Sequence, residues 1–142
     1  MARKSARSVT LDLYLAPASA LISGTPGDDS LAATGDGDFV YGLGGNDTLT
    51  SMFNDVLLDG GIGDDLLEMA ASPALGSGGL DHWIATGIGG LGNDTITATI
   101  DGGFAFGDVL IGTALYGGGG DDRISARLSI GSDDWESDEF VS

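Results

Sequence analysis

The sequence predicts an all-β fold, a right-handed parallel β-roll with about eighteen residues per coil and enlarged return loops in its C-terminal half. An eight-residue pattern, G-x-x-G-[D/N]-D-x-[L/I], occurs five times in the 142 residues. From residue 24 to residue 68 the chain also divides into unbroken nonapeptides whose eighth positions are apolar: Leu31, Val40, Leu49, Leu58 and Leu67. A repeat unit buries its apolar face only against a neighbour, so this period indicates stacked coils with the eighth residues inside.

The five copies of the pattern predict the turns along one edge of the roll. They are GTPGDDSL at 24–31, GLGGNDTL at 42–49, GGIGDDLL at 60–67, GGLGNDTI at 89–96 and GGGGDDRI at 117–124. The aspartates at 29, 47 and 65 are eighteen residues apart, whereas the next two spacings are 29 (65 to 94) and 28 (94 to 122). Either the turns keep stacking and the half-coils 69–88 and 98–116 are enlarged by about ten residues, or the roll breaks after residue 68 into two blocks.

These turns resemble those of the RTX (repeats-in-toxin, haemolysin-type) calcium-binding proteins, whose pattern is G-G-x-G-x-D-x-U-x. GGIGDDLLE, GGLGNDTIT and GGGGDDRIS match at every specified position, and GTPGDDSLA and GLGGNDTLT each lack only the second glycine. The resemblance covers roughly residues 20–130. It implies about two to five calcium ions between successive turns, held by aspartates and by backbone carbonyls.

The metal ligands that the resemblance implies are the repeat aspartates and the turn glycines around them. They are Asp29, Asp47, Asp65, Asp94 and Asp122, with Gly24, Gly27, Gly42, Gly45, Gly60, Gly63, Gly89, Gly92, Gly117 and Gly120. On the opposite edge, Asp38 and Asp108 are further candidates, although that edge either holds one site or is purely structural. The residue before each repeat aspartate is expected to support its own turn.

The chemistry of stacked acidic turns favours a bound cation. Calcium takes six to eight oxygen ligands, and glycine-rich turns leave backbone carbonyls accessible. Neighbouring strands lie about 4.8 Å apart, and at that distance two carboxylates repel by about 3 kcal/mol at an effective dielectric near 20. A calcium ion between two such carboxylates turns the repulsion into attraction.

Charge and composition limit the partners. Five basic and 22 acidic residues give a net charge of −17, which argues against nucleic acids and anionic membrane surfaces and for bound cations. No stretch approaches the roughly 18 apolar residues of a membrane span. The absence of cysteine fits an extracellular protein that is stabilised by metal rather than by disulfides.

One β-roll domain is expected at 8–130, with a capping strand at 8–22, regular coils at 24–68 and coils with enlarged loops at 69–130. A basic flexible tail at 1–7 precedes it. Apolar residues alternate along 8–15, and Asp12 interrupts the apolar run that a signal peptide needs, so this segment favours a strand over a cleaved signal peptide. The acidic segment 131–142 is expected to be a cap carrying Trp135 or, by the resemblance, an uncleaved type I secretion signal, although Ser142 departs from the usual apolar ending.

The predicted function is calcium binding by a secreted module that folds when calcium binds, not catalysis. His82 is the only histidine, and the chain has no HExxH, GxSxG or cysteine nucleophile. The resemblance implies export to the extracellular space by a type I secretion apparatus. Two alternatives stay open: an extracellular structural or adhesive protein that self-associates through the roll ends, or the calcium-binding part of a larger secreted toxin, protease or lipase.

Overall fold

The computed structural model describes residues 18–71, 81–103 and 109–131. These residues form strands and no helix, so none of them belongs to a helix that could cross a membrane. The strands are β1 (Leu21–Ser23), β2 (Ser30–Ala32), β3 (Phe39–Gly44), β4 (Thr48–Ser51), β5 (Val56–Ile62), β6 (Leu66–Ala71), β7 (Asp81–Leu91), β8 (Thr95–Gly103), β9 (Val109–Gly119) and β10 (Arg123–Gly131).

The strands alternate between two parallel sheets. One sheet has the order β1-β3-β5-β7-β9, and the other has the order β10-β8-β6-β4-β2. Every strand therefore pairs with the strand two places along the chain, as stacked coils require, and each pairing is parallel. The predicted all-β, parallel β-roll is confirmed.

The strong turns continue to stack where the spacing of the repeats changes. The register joins Gly61 to Gly90 and Gly90 to Gly118 in one sheet, and Leu67 to Ile96 in the other, so both sheets run unbroken past residue 68. The alternative of two separate blocks is therefore wrong. The enlargement also differs from the expected loops, because many of the extra residues lengthen strands: β7 and β9 have 11 residues each, whereas β3 has six.

The interior is filled by two rows of aliphatic side chains, one from each sheet. Val40, Leu49, Leu58 and Leu67 are fully buried, as their eighth positions predicted, and Ile96 extends the row that contains Leu49 and Leu67. Leu31 is only partly buried and packs against this core. The narrow core places each acidic turn directly beside a file of apolar side chains. The predicted strand at 8–15, Asp108 and the tail at 132–142 lie outside the described residues.

Candidate metal centre

The five repeat aspartates form one continuous ladder along the edge of the roll. In each step, the amide N–H of one aspartate donates to Oδ1 of the aspartate in the next coil. The bonds run from Asp29 to Asp47 (2.8 Å), from Asp47 to Asp65 (2.8 Å), from Asp65 to Asp94 (2.9 Å) and from Asp94 to Asp122 (3.0 Å). The structure thus brings all five predicted aspartates together, including those across the irregular spacings.

The second carboxylate oxygen distinguishes the three middle aspartates. Asp47, Asp65 and Asp94 are each at most 2% exposed. Their Oδ2 atoms are buried and accept no hydrogen bond from the residues that the structure describes. A buried charged oxygen without a partner is strongly unfavourable, so these three atoms call for a ligand that the protein itself does not supply.

The first glycine of each turn leaves room beside these oxygens. A Cβ on Gly42 would collide with Asp47 Oδ2 and would lie 2.5 Å from the carbonyl oxygen of Gly60 in the next coil. We call this pair of oxygens beside the first glycine of a turn a cradle. A second cradle lies at Gly60, formed by Asp65 Oδ2 and the Gly89 carbonyl, and a third lies at Gly89, formed by Asp94 Oδ2 and the Gly117 carbonyl. Each cradle therefore collects one carboxylate and one carbonyl oxygen from successive coils.

The raised pKa values of the buried aspartates show that their negative charges are unfavourable without a cation. Burial, together with the nearby Asp47, Asp94 and Asp64 carboxylates, raises the pKa of Asp65 to about 6, although the hydrogen bond from the Asp47 amide lowers it. Burial likewise raises the pKa of Asp94. Both groups bind protons more readily than a solvated aspartate, which is expected where negative charge lacks a counterion.

The donor set fits calcium and depends on the backbone. Within the described residues, no group of three or more His, Cys, Asp or Glu side chains is arranged to hold a metal ion. Side chains alone are therefore insufficient, and glycine carbonyls such as those of Gly60 and Gly89 must complete the ligands. Carboxylate and carbonyl oxygens are the hard donors that calcium prefers.

The residues that precede the aspartates form a second ladder, which we call the outer ladder. Here the amide N–H of the later coil donates to the side-chain oxygen of the earlier coil, over 2.7–2.9 Å. Its members are Asp28, Asn46, Asp64, Asn93 and Asp121. These side chains were expected to support their own turns, but they join neighbouring coils instead. The two ladders run in opposite directions and fasten the turns together.

The glycine positions have separable roles. The fourth turn position has positive φ in four copies: Gly45 (100°), Gly63 (134°), Gly92 (139°) and Gly120 (136°). The second position also has positive φ at Gly61, Gly90 and Gly118, and Leu43 has φ of 80° there. Left-handed backbone is unfavourable for leucine, so the turn imposes this conformation even where the sequence lacks glycine.

The first turn is built differently from the others. Gly27 is not among the positive-φ residues, and Asp29 Oδ2 accepts hydrogen bonds from the Thr25 amide (2.6 Å) and the Thr25 hydroxyl (2.9 Å). Sequence reasoning missed Thr25. The only signal for it was a threonine in place of the second glycine.

The opposite edge repeats the arrangement of the first turn. Asp38 is 1% exposed, and its Oδ2 accepts from the Thr34 amide, the Thr34 hydroxyl and the Gly35 amide. Its Oδ1 accepts from the Ala20 amide. These bonds, of which the Ala20 bond contributes most, hold the pKa of Asp38 below its usual value despite burial. Asp38, predicted as a metal ligand, is thus satisfied by protein donors.

The chain is a β-roll, because its coils stack in parallel and their acidic turns line up along one edge. The family model of the RTX calcium-binding nonapeptide repeat matches four copies in this chain, over residues 21–52 and 115–128, and the chain is similar to that family there. Repeats of this kind bind calcium, and proteins that contain them are typically secreted. A search of curated proteins and a search of solved structures each found no match.

Proposed function

We propose that this chain is a secreted module that binds calcium between its stacked turns and folds when calcium binds. The observation that carries the proposal is the trio of buried Oδ2 atoms on Asp47, Asp65 and Asp94, which no donor in the described part of the chain reaches. Each lies beside a glycine carbonyl from the following coil. A cation in these cradles would satisfy oxygens that otherwise have no partner.

The energetics favour coupling between binding and folding. Adjacent carboxylates one strand spacing apart repel by about 3 kcal/mol at an effective dielectric near 20. Leaving the Oδ2 atom of each buried carboxylate without a partner costs about 1–3 kcal/mol or more in addition. Typical domains are stable by only about 5–15 kcal/mol, so three such sites are enough to disfavour the calcium-free roll. The free energy of calcium binding then becomes free energy of folding.

The setting that we propose is extracellular, after export by a type I secretion apparatus. Extracellular calcium modules bind with dissociation constants of about 10⁻⁴–10⁻³ M, which leaves such sites empty at cytosolic calcium levels. The chain would therefore stay unfolded before export and fold outside the cell. We assign the acidic turns a binding role and not a catalytic one, because their oxygens belong to a repeated structural unit.

Circular dichroism tests the proposal directly. The full chain is measured in EDTA, then in millimolar calcium, then in millimolar magnesium as a matched divalent control. We expect a strand spectrum only with calcium, since magnesium demands smaller, near-octahedral sites and sheds its water reluctantly. A strand spectrum and melting temperature in EDTA that equal those in calcium would refute calcium-driven folding.

A second candidate function is self-association through the roll ends. In the last strand, β10, Ile124 is 47% exposed and Leu128 is 50% exposed, and an exposed strand edge is a template for pairing with another chain. Light scattering over a calcium titration distinguishes the two. Growth of the scattering mass with calcium supports assembly, whereas a constant monomer mass in folded protein contradicts it.

A further inference from the structure

We infer that, in the nonapeptides with an aspartate at the sixth position, the second residue decides whether that aspartate binds calcium or is satisfied by the protein. On this rule the Thr25 and Thr34 turns are metal-free, and calcium is confined to the cradles of Asp47, Asp65 and Asp94. The inference rests on the proposed function, which it sharpens by assigning the occupied positions.

The two threonine turns share one geometry. In each, the threonine occupies the second position of its nonapeptide, and the aspartate follows four residues later in the sixth. Oδ2 of Asp29 accepts from the Thr25 amide at 2.6 Å and from its hydroxyl at 2.9 Å. Oδ2 of Asp38 accepts from the Thr34 amide at 2.8 Å and from its hydroxyl at 2.9 Å. These turns lie on opposite edges of the roll, so the shared geometry comes from the threonine and not from the neighbouring strands.

The turns with an unpartnered aspartate have a different second residue. Leu43, Gly61 and Gly90 stand there, with φ of 80°, 104° and 115°. Neither leucine nor glycine carries a side-chain donor. In these three turns Oδ2 remains buried without a hydrogen bond. The identity of the second residue thus separates satisfied from unsatisfied aspartates in all five of these turns.

The cradle geometry does not explain why Asp29 Oδ2 has hydrogen-bond donors and Asp47 Oδ2 has none. At Gly24, as at Gly42, an added Cβ would meet both the aspartate and the next coil's carbonyl, with Asp29 Oδ2 at 2.7 Å and the Gly42 carbonyl at 2.6 Å. The Thr25 donors, however, direct two positively polarised hydrogens at Asp29 Oδ2. They occupy its lone pairs and oppose a cation at the same place.

The last turn lacks the other half of a cradle. Gly118 has a φ of 106°, similar to the φ of the second residue in the three turns whose aspartate Oδ2 is unpartnered. The three nearest atoms to a Cβ on Gly117, however, all belong to Asp122, and no described coil follows to supply a carbonyl. Among the described residues, this turn donates its Gly117 carbonyl to the Asp94 cradle and completes no site of its own. The number of ions that we infer for the described coils is therefore three, the number of their unpartnered buried oxygens.

Native mass spectrometry of the full chain in calcium counts the bound ions and tests the rule. We expect three ions on the wild type, three on Asp29→Asn, and one fewer on Asp65→Asn. Thr25→Gly removes the competing hydroxyl and permits a left-handed second residue, so it should gain a fourth ion. Thr25→Ser is the matched control, because it keeps the hydroxyl and should keep three ions.

The outcomes separate this inference from the proposed function. No calcium on the folded wild type would overturn both. Four ions on the wild type, with one lost in Asp29→Asn, would overturn the inference alone and leave calcium binding intact. An unchanged count in Thr25→Gly would also overturn it. Isothermal titration calorimetry of Asp29→Asn provides a second readout that does not depend on the folding of Asp65→Asn. Calcium stoichiometry and affinity equal to wild type support the rule, and a lost site contradicts it.

Discussion

Replacing Gly60 by alanine should block one calcium cradle at the centre of the roll. The added Cβ would collide with Asp65 Oδ2 and would lie 2.7 Å from the Gly89 carbonyl oxygen. These are the two oxygens that we assign to the central ion. The methyl group therefore competes with calcium for the same volume, and the local backbone must shift even without calcium.

The expected magnitude has two parts. Forcing one extra methyl group into a packed site costs about 1–3 kcal/mol. Loss of an ion present at about 10 to 100 times its dissociation constant removes a further 1.4–2.7 kcal/mol or so of stability. The free energy of unfolding in calcium should thus fall by about 2–6 kcal/mol, a large share of the stability of a typical domain.

Urea unfolding followed by circular dichroism in about 10 mM calcium measures this change, with the bound-ion count taken in parallel. Gly112→Ala is the matched control, because a Cβ there meets only Ile84 Cγ1 at 3.9 Å and Gly112 has no positive φ. The control should unfold near the wild-type midpoint. If Gly60→Ala kept the wild-type midpoint and ion count, the cradle assignment would be refuted, and an equal loss in Gly112→Ala would show that the effect is not specific to the cradle.

Three other perturbations probe separate parts of the structure. Leu43→Gly should raise the free energy of unfolding by roughly 0.5–1 kcal/mol, because the strain of a leucine at a φ of 80° exceeds the entropy that glycine adds to the unfolded chain. Ile62→Gly, at an exposed position nearby, is the control and should lower the free energy of unfolding in the same urea titration. The pKa of Asp65 is raised to about 6 in the fold, from an ordinary value of 3.8, so its contribution to calcium-free stability is present below pH 3.8 and is lost as the pH rises through about 6. The calcium concentration that half-folds the chain should accordingly decrease as the pH is lowered from about 7 to about 5, because protonated Asp65 stabilises the calcium-free fold, and a midpoint that rises over this range would contradict this. Asp38→Asn places an amide where four donors converge and should cost about 1–3 kcal/mol in urea unfolding, with no loss of a bound ion by native mass spectrometry.

The sequence alone determined the class of fold and the turn aspartates. A nine-residue apolar period leaves few ways to bury Val40, Leu49, Leu58 and Leu67 other than stacked coils, and all four are fully buried. The glycine–aspartate pattern likewise located the acidic edge, because carboxylates that recur once per coil must fall in one file. These properties follow from local spacing, which a linear pattern records directly.

Only the tertiary structure decided which aspartates lack a partner. Asp29, Asp47 and Asp65 have the same place in their repeats, yet Thr25 satisfies the first, whereas Oδ2 of the other two has no donor. The structure also decided that the file continues across the spacings of 29 and 28 residues, through bonds from Asp65 to Asp94 and from Asp94 to Asp122. Hydrogen-bond partners depend on where side chains and neighbouring coils meet in space, and the spacing of residues along a chain does not specify that.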